Sequence, residues 1–221
     1  MKNEELRPTL WRTARALANK NRLLFFRAVW LSKGEKGVSE LARDAGLSIS
    51  TASVYLRALN ARGLISVRRV TSHVYYGSGA DRSLPEAQLL QAAFAKIFSR
   101  TKLPGNWPEG LMPTLRAYSH LRRITILQCL AEEPRGFTDI SFVTRIPEMS
   151  LARHLRVLSR AQIVSCEKNL YSIVKPRNVL QSAFLEIALS GVAKRCPELS
   201  HFVKCDSLCM SETRMENEIR V

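Results

Sequence analysis

Apolar residues recur at helical spacing in two stretches that align without gaps. In residues 16–29, ALANKNRLLFFRAV, they are Leu23, Phe25, Phe26 and Val29; in residues 117–130, AYSHLRRITILQCL, they are Ile124, Ile126, Leu127 and Leu130. Each pattern predicts an amphipathic core helix. Residues 37–46 and 136–145 come next, each opening with Gly, an apolar residue, Ser or Thr, then an acid. Ser39 and Thr138 suit N-caps, while Glu40 and Asp139 place negative charge at the positive end of the helix that follows. A turn around Ala45, Gly46 and Leu47 then leads to a further helix. Gly46 suits the left-handed backbone such a turn needs, and Ser48 or Ser50 can cap the incoming helix. Gly63 closes that helix. Residues 64–78, LISVRRVTSHVYYGS, alternate well enough to form two short strands around Thr71 and Ser72.

Residues 47–69 return in blurred form at 146–168, at a constant shift that pairs Leu56 with Leu155, Arg57 with Arg156, Leu59 with Leu158 and Ser66 with Ser165. Each half ends in another amphipathic segment, residues 85–100 and 176–189, with Pro at the first helical position. The halves match from first helix to last, which marks a diverged duplication. Residues 101–113, TKLPGNWPEGLMP, are rich in Pro and Gly and read as a linker. The expected organisation is an N-terminal domain over 1–100, a linker over 101–112, a degenerate second domain over 113–190 and a tail over 191–221. A chain of 221 residues suits two small cores better than one large one.

Charge narrows the class of partner. With 34 Lys+Arg against 19 Asp+Glu the formal net charge is +15, which favours a polyanion such as nucleic acid or an acidic membrane surface. Helix, turn, second helix and hairpin together make a winged helix-turn-helix. On the second helix Ala52, Leu56 and Leu59 form a buried stripe. Ser50, Thr51, Ser53 and Arg57 then face outward, with Val54 and Tyr55 at the margins. Short hydroxyl side chains allow close approach, helix-end amides attract phosphate, and Arg reaches phosphate or a guanine edge. The hairpin adds Arg68, Arg69 and His73, which can track a minor groove or the backbone.

On these residues, LANKNRLLFF, VSELARDAGLSISTASVYLRALNARGLI and the hairpin after them, residues 17–78 resemble the ArsR/SmtB-like group of bacterial winged-helix repressors; the second half resembles it by pattern alone. The resemblance implies a DNA-binding transcription regulator whose helices before and after the helix-turn-helix form a dimer interface. It places the DNA-facing positions at Ser50, Thr51, Ser53, Val54, Tyr55 and Arg57, and Ser48 at the helix front joins them as a DNA-binding candidate. Metal sensors of the group often carry Cys-x-Cys in the helix before the turn. Residues 38–45 hold no cysteine, so no such sensing and no cofactor are expected.

The expected fold is mainly α with small β-wings, an α+β architecture in which tandem winged helices pack as an intramolecular pseudo-dimer through residues 10–29, 85–100, 115–130 and 176–189. One chain would then grip two half-sites of double-stranded DNA; a homodimer is the other arrangement. The copies are unequal. Arg145 and Gln162 replace the two glycines, Glu148 stands at the front of the second recognition helix, and Glu167 replaces Arg68. Arg153, His154, Arg156 and Lys168 remain, and they predict a weaker second reader.

Other chemistry is sparse. His201, Cys205 and Cys209 have the spacing of three soft metal ligands on a helix but lack an obvious fourth. Five cysteines, odd in number, do not suit a secreted disulfide framework. The start of the chain has no apolar leader and no stretch suits a membrane span, so a cytoplasmic protein without a membrane partner is expected. No nucleophile triad and no Gly-rich phosphate loop point to an enzyme. Two other functions fit tandem winged helices: a plasmid or phage replication initiator, and a protein-interaction scaffold.

Overall fold

The computed structural model describes residues 9–32, 34–99 and 103–193. The tail triad His201, Cys205 and Cys209 lies outside the described residues. The first half runs α1 (Leu10–Leu17), α2 (Lys20–Leu31), β1 (Lys36–Gly37), α3 (Val38–Asp44), α4 (Ile49–Asn60), β2 (Ser66–Val70), β3 (His73–Gly77) and α5 (Pro85–Phe98). The second half repeats this order: α6 (Trp107–Tyr118), α7 (Leu121–Leu130), β4 (Arg135–Gly136), α8 (Phe137–Thr144), α9 (Glu148–Arg160), β5 (Val164–Glu167), β6 (Leu170–Ile173) and α10 (Val179–Ala193). Each half holds an antiparallel three-stranded sheet, β1-β3-β2 and β4-β6-β5. The fold is α+β, with two winged helices in tandem. Among the described residues no helix is long and apolar enough to cross a membrane.

Backbone chemistry explains the turns. Gly46 and Gly63 both adopt positive φ, +64° and +66°. After α4 the Leu64 amide bonds the Leu59 carbonyl and the Gly63 amide bonds the Asn60 carbonyl, the paired closure in which a left-handed residue ends a helix. The second half makes the same closure without glycine: Ile163 bonds Leu158, Gln162 bonds Ser159, and Gln162 sits at φ 57°. Arg145, exposed at the end of α8, is likewise left-handed at φ 54°. A side chain with Cβ is strained there. Arg145→Gly is therefore expected to stabilise the chain by about 1 kcal/mol, read as a raised midpoint in urea at an unchanged slope.

Several helix ends differ from the expectation. The N-caps are Gly37 and Gly136, not Ser39 and Thr138. Gly37 is still paired with Tyr75 in the sheet, and Glu40 Oε2 reaches back to accept its amide at 2.9 Å, so the helix starts as soon as the strand ends. The helices expected over 10–29 and 115–130 are each broken in two. Asn19 Oδ1 accepts from the Arg22 amide at 2.9 Å, and His120 Nδ1 accepts from the Arg122 amide at 3.1 Å; both side chains cap a fresh helix. The stretch read as a linker over 101–112 already contains the start of α6. Pro108 occupies its first turn, where a missing amide hydrogen costs nothing.

The two cores expected from chain length are one. Buried apolar residues of both halves form a single continuous cluster. Equivalent end helices meet: α1 lies against α6, and α5 against α10. Phe98, at the end of α5, touches Phe26 (ring centroids 5.7 Å), Phe94 (5.4 Å) and Trp30 (5.7 Å) in the first half. It also meets Trp107 of α6 edge-on at 5.6 Å. In α7, Gln128 Nε2 donates to the Ala188 carbonyl of α10 at 2.9 Å.

Candidate nucleic-acid interface

The front of α4 is built by its own cap. Ser48, in extended backbone, accepts the Thr51 amide on Oγ at 3.2 Å. Its hydroxyl donates to Thr51 Oγ1 at 2.8 Å and lies 3.0 Å from Ser50 Oγ. Three short hydroxyl side chains thus surround the positive end of the helix, a place that favours an anion. Ser48, Ser50, Val54 and Arg57 are exposed, and Thr51 and Ser53 are half-buried. Arg57 Nε donates to the Ser53 carbonyl at 3.3 Å, which holds the guanidinium along the helix surface.

Tyr55 does not belong to this front. It is half-buried, its ring 5.9 Å from Phe25 and beneath the Arg22 guanidinium at 5.4 Å. It packs the side of α4 onto α2.

After α4 the chain forms the β2–β3 hairpin, with Val70 paired to His73 and Arg68 to Tyr75. Residues 68–73 are all exposed. Alternation puts Arg68, His73 and Tyr75 on one face and Arg69 on the other. Arg68 is ion-paired with Glu35 and lies 5.5 Å over the Tyr75 ring, so part of its charge is met locally. Arg69 and the hairpin tip carry the positive end of the wing. Of the two consecutive tyrosines in β3, Tyr76 is buried and Tyr75 half-buried.

The second front is different in chemistry. Pro147 caps α9 with no side-chain hydrogen bond. Glu148 and Met149 stand outward, Met149 84% exposed, and Phe142 at the end of α8 is 86% exposed. Ser150, the one hydroxyl at this end of α9, accepts from Arg122 Nη1 at 2.9 Å and lies 3.3 Å from His154 Nε2. Arg153, Arg156 and Lys168 are exposed. Lys168 and Asn169, at φ 49° and 65°, form the two-residue turn of the short hairpin, the backbone of a type I′ turn.

His154, expected among the DNA-facing residues, is instead inside, 7% exposed. It falls in the stripe Leu151, His154, Leu155, Leu158 that α9 buries, the place Tyr55 occupies in α4. Its ring stands 4.7 Å from that of His120, and Nδ1 is buried with no partner. Burial above all, then the charges of His120, Arg123, Arg122 and Arg153, pulls the imidazole from its ordinary 6.5 down to about 4. Below about pH 6.5 the unfolded chain binds a proton that the native chain refuses. Stability therefore falls between pH 6.5 and 4 and this contribution levels off below. The loss expected is on the order of 2 kcal/mol. Urea melts at pH 7 and pH 4.5 check it, since His154→Leu should remove that part of the slope.

Sequence periodicity gave no sign of His120 or Arg122 as neighbours of the second front. Neither did it mark Arg123, buried and donating to the Ala117 and Arg116 carbonyls at 2.6 Å, where it closes the end of α6. Among the described residues no group of three or more His, Cys, Asp or Glu gathers as a metal site would require.

Comparison with known proteins places these fronts in a family frame. Residues 29–67 and 121–165 each match the family model described as bacterial regulatory protein, arsR family. A stretch of 65 residues is 38% identical to the HTH-type transcriptional regulator Rv0324 of Mycobacterium tuberculosis. That alignment covers 29% of this chain and 28% of the relative, so it compares about one reading unit and leaves most of both proteins uncompared.

Proposed function

We propose that this chain, which carries two ArsR-type winged-helix units in tandem, is a cytoplasmic DNA-binding transcription regulator in which the first unit reads the duplex and the second serves as its built-in partner and weaker reader. The observation that carries the reading is the exposed front of α4, where the hydroxyls of Ser48, Ser50 and Thr51 ring a helix N-terminus about two turns ahead of Arg57, followed in the chain by an exposed basic hairpin. Hydroxyls and amides fix the register on phosphate, Arg57 reaches a base edge, and exposed Val54 can meet a thymine methyl. Arg69 and His73 follow the adjoining backbone from the wing.

The second unit keeps Arg153, Arg156 and Lys168 but presents Glu148 and Met149 where the first presents hydroxyls. A carboxylate facing phosphate lowers its grip. The packing of α1 on α6 and of α5 on α10 supports a single chain acting as a pseudo-dimer. The domain division that follows is residues 1–100 and 113–190, with α6 beginning within the connecting stretch 101–112 and the last turn of α10 running into the tail expected over 191–221.

The direct test is Arg57→Ala against a panel of duplexes recovered by footprinting genomic fragments with purified protein. If Arg57 reads a base, the variant loses about 1–3 kcal/mol on sites carrying that base and little on the others. Equal weakening on every duplex would make Arg57 a backbone contact. Unchanged binding to all of them would overturn α4 as the reading helix.

A further inference from the structure

Helices α1, α2 and α4 meet around an open basin of about 350 Å³ that the reading front does not include. Its floor is alanine: Ala16 from α1, Ala58 and Ala61 from α4 and its end. One-carbon side chains leave the space open. Its rim is arginine: Arg12 and Arg15 from α1, Arg22 from α2 and Arg62 beyond α4. No carboxylate among the described residues lines it; Glu86 borders a separate, smaller crevice that Arg62 also touches.

The rim is ordered before anything binds. Arg12 lies over the Trp11 ring at 5.0 Å and Arg22 over the Tyr55 ring at 5.4 Å. Arg22 Nε and Arg62 Nη1 are buried with no hydrogen-bond partner. Buried donors without partners are costly, and cations gathered without an acid repel one another. Burial and the nearby Arg12 charge both disfavour the Arg62 cation. An oxyanion in the basin offsets the gathered positive charge, because guanidinium groups meet phosphate oxygens in bidentate geometry.

Position says which oxyanion. Ala58 and Ala61 follow Val54 at i+4 and i+7, so the basin prolongs the exposed stripe of α4 toward its C-terminal end. On the other side α1 packs against α6 of the second unit, and the Arg15 charge already acts on His120 at the start of α7.

We infer that the basin is a phosphate-binding site, separate from the base-reading front, that takes backbone phosphates of the duplex between the two reading units. This rests on the DNA-binding reading above. A free phosphorylated small molecule has the same chemistry, and the test separates the two sources.

The variants are the double substitution Arg12→Gln with Arg15→Gln, both exposed, and separately Ala61→Glu, which puts a carboxylate on the floor. Thermal melts confirm that each folds. Binding to a footprinted duplex and to a random one is followed by fluorescence anisotropy from 50 to 300 mM salt. Each lost phosphate contact lowers the slope of log K against log salt by about 0.9. The double variant should lose about 1–2 from the slope on both duplexes alike, with the ratio between them kept, and Ala61→Glu should weaken both at least tenfold. Wild-type slopes and affinities in both variants overturn the site. If the wild-type chain binds no duplex at all, the DNA reading fails, and titration with pyrophosphate decides what is left. Stabilisation of the wild-type chain against heat that is lost in the double variant supports a site for a free phosphorylated ligand and overturns the duplex source. No stabilisation overturns the site itself.

Discussion

Raising the salt from 50 to 200 mM is expected to lower the affinity of this chain for the proposed duplex DNA by about 10³ to 10⁵ if it contacts about 6 to 10 phosphates. The effect is large because each neutralised phosphate releases condensed counterions, and added salt opposes that release. The formal charge of +15 does not act as one pool. Lys20 is paired with Glu109, Lys36 with Asp44, Arg68 with Glu35, and Arg135 with Glu132 and Glu133. Arg123 is spent inside on the end of α6. What remains on the proposed reading side includes Arg57, Arg69, Arg153, Arg156 and Lys168, all exposed, together with helix amides behind Ser48. Anisotropy titrations with a labelled duplex at four salt concentrations measure the slope. A flat response means that no counterions are released, and the DNA reading then fails however well the fold matches.

The build of the α4 front was legible because its signals are local. Ser48 caps the helix three residues ahead of the amide it accepts, Gly46 and Gly63 mark the two left-handed positions, and Ala52, Leu56 and Leu59 fix which side of α4 is inside. The duplication carried the same geometry to places where propensity says nothing: Arg145 and Gln162 adopt left-handed backbone only because the turns they close are copies of glycine turns. His154 was misplaced by counting charges along the chain, since it stands between Arg153 and Arg156. Counting turns puts it three residues after Leu151 and four before Leu158, on the buried stripe. The α1/α2 and α6/α7 breaks were invisible because amphipathic spacing runs through both, and only the cap side chains of Asn19 and His120 separate the helices. The arginine basin has no sequence signature, for its parts come from three helices and only packing brings them together.

The same distinction between local and assembled features decides how the chain unfolds. Phe98→Ala is expected to cost about 3–5 kcal/mol, the range for removing a large aromatic side chain from a core. Phe98 is 2% exposed, and its ring faces Phe26, Phe94 and Trp30 on one side of the duplication and Trp107 on the other. The cavity therefore opens at the joint between the halves, with few routes for the neighbours to close it. For a chain of this size each kcal/mol lowers the melting temperature by about 2–4 °C, so a fall of roughly 6–20 °C should be seen by calorimetry. One continuous core further implies that both halves melt together, and that the variant keeps a single transition at the lower temperature. Two resolved transitions, with only the first-half one displaced, would mean that each half is stable alone. The α1/α6 and α5/α10 contacts would then be a loose docking, and the second unit could not hold the first in a fixed spacing on DNA.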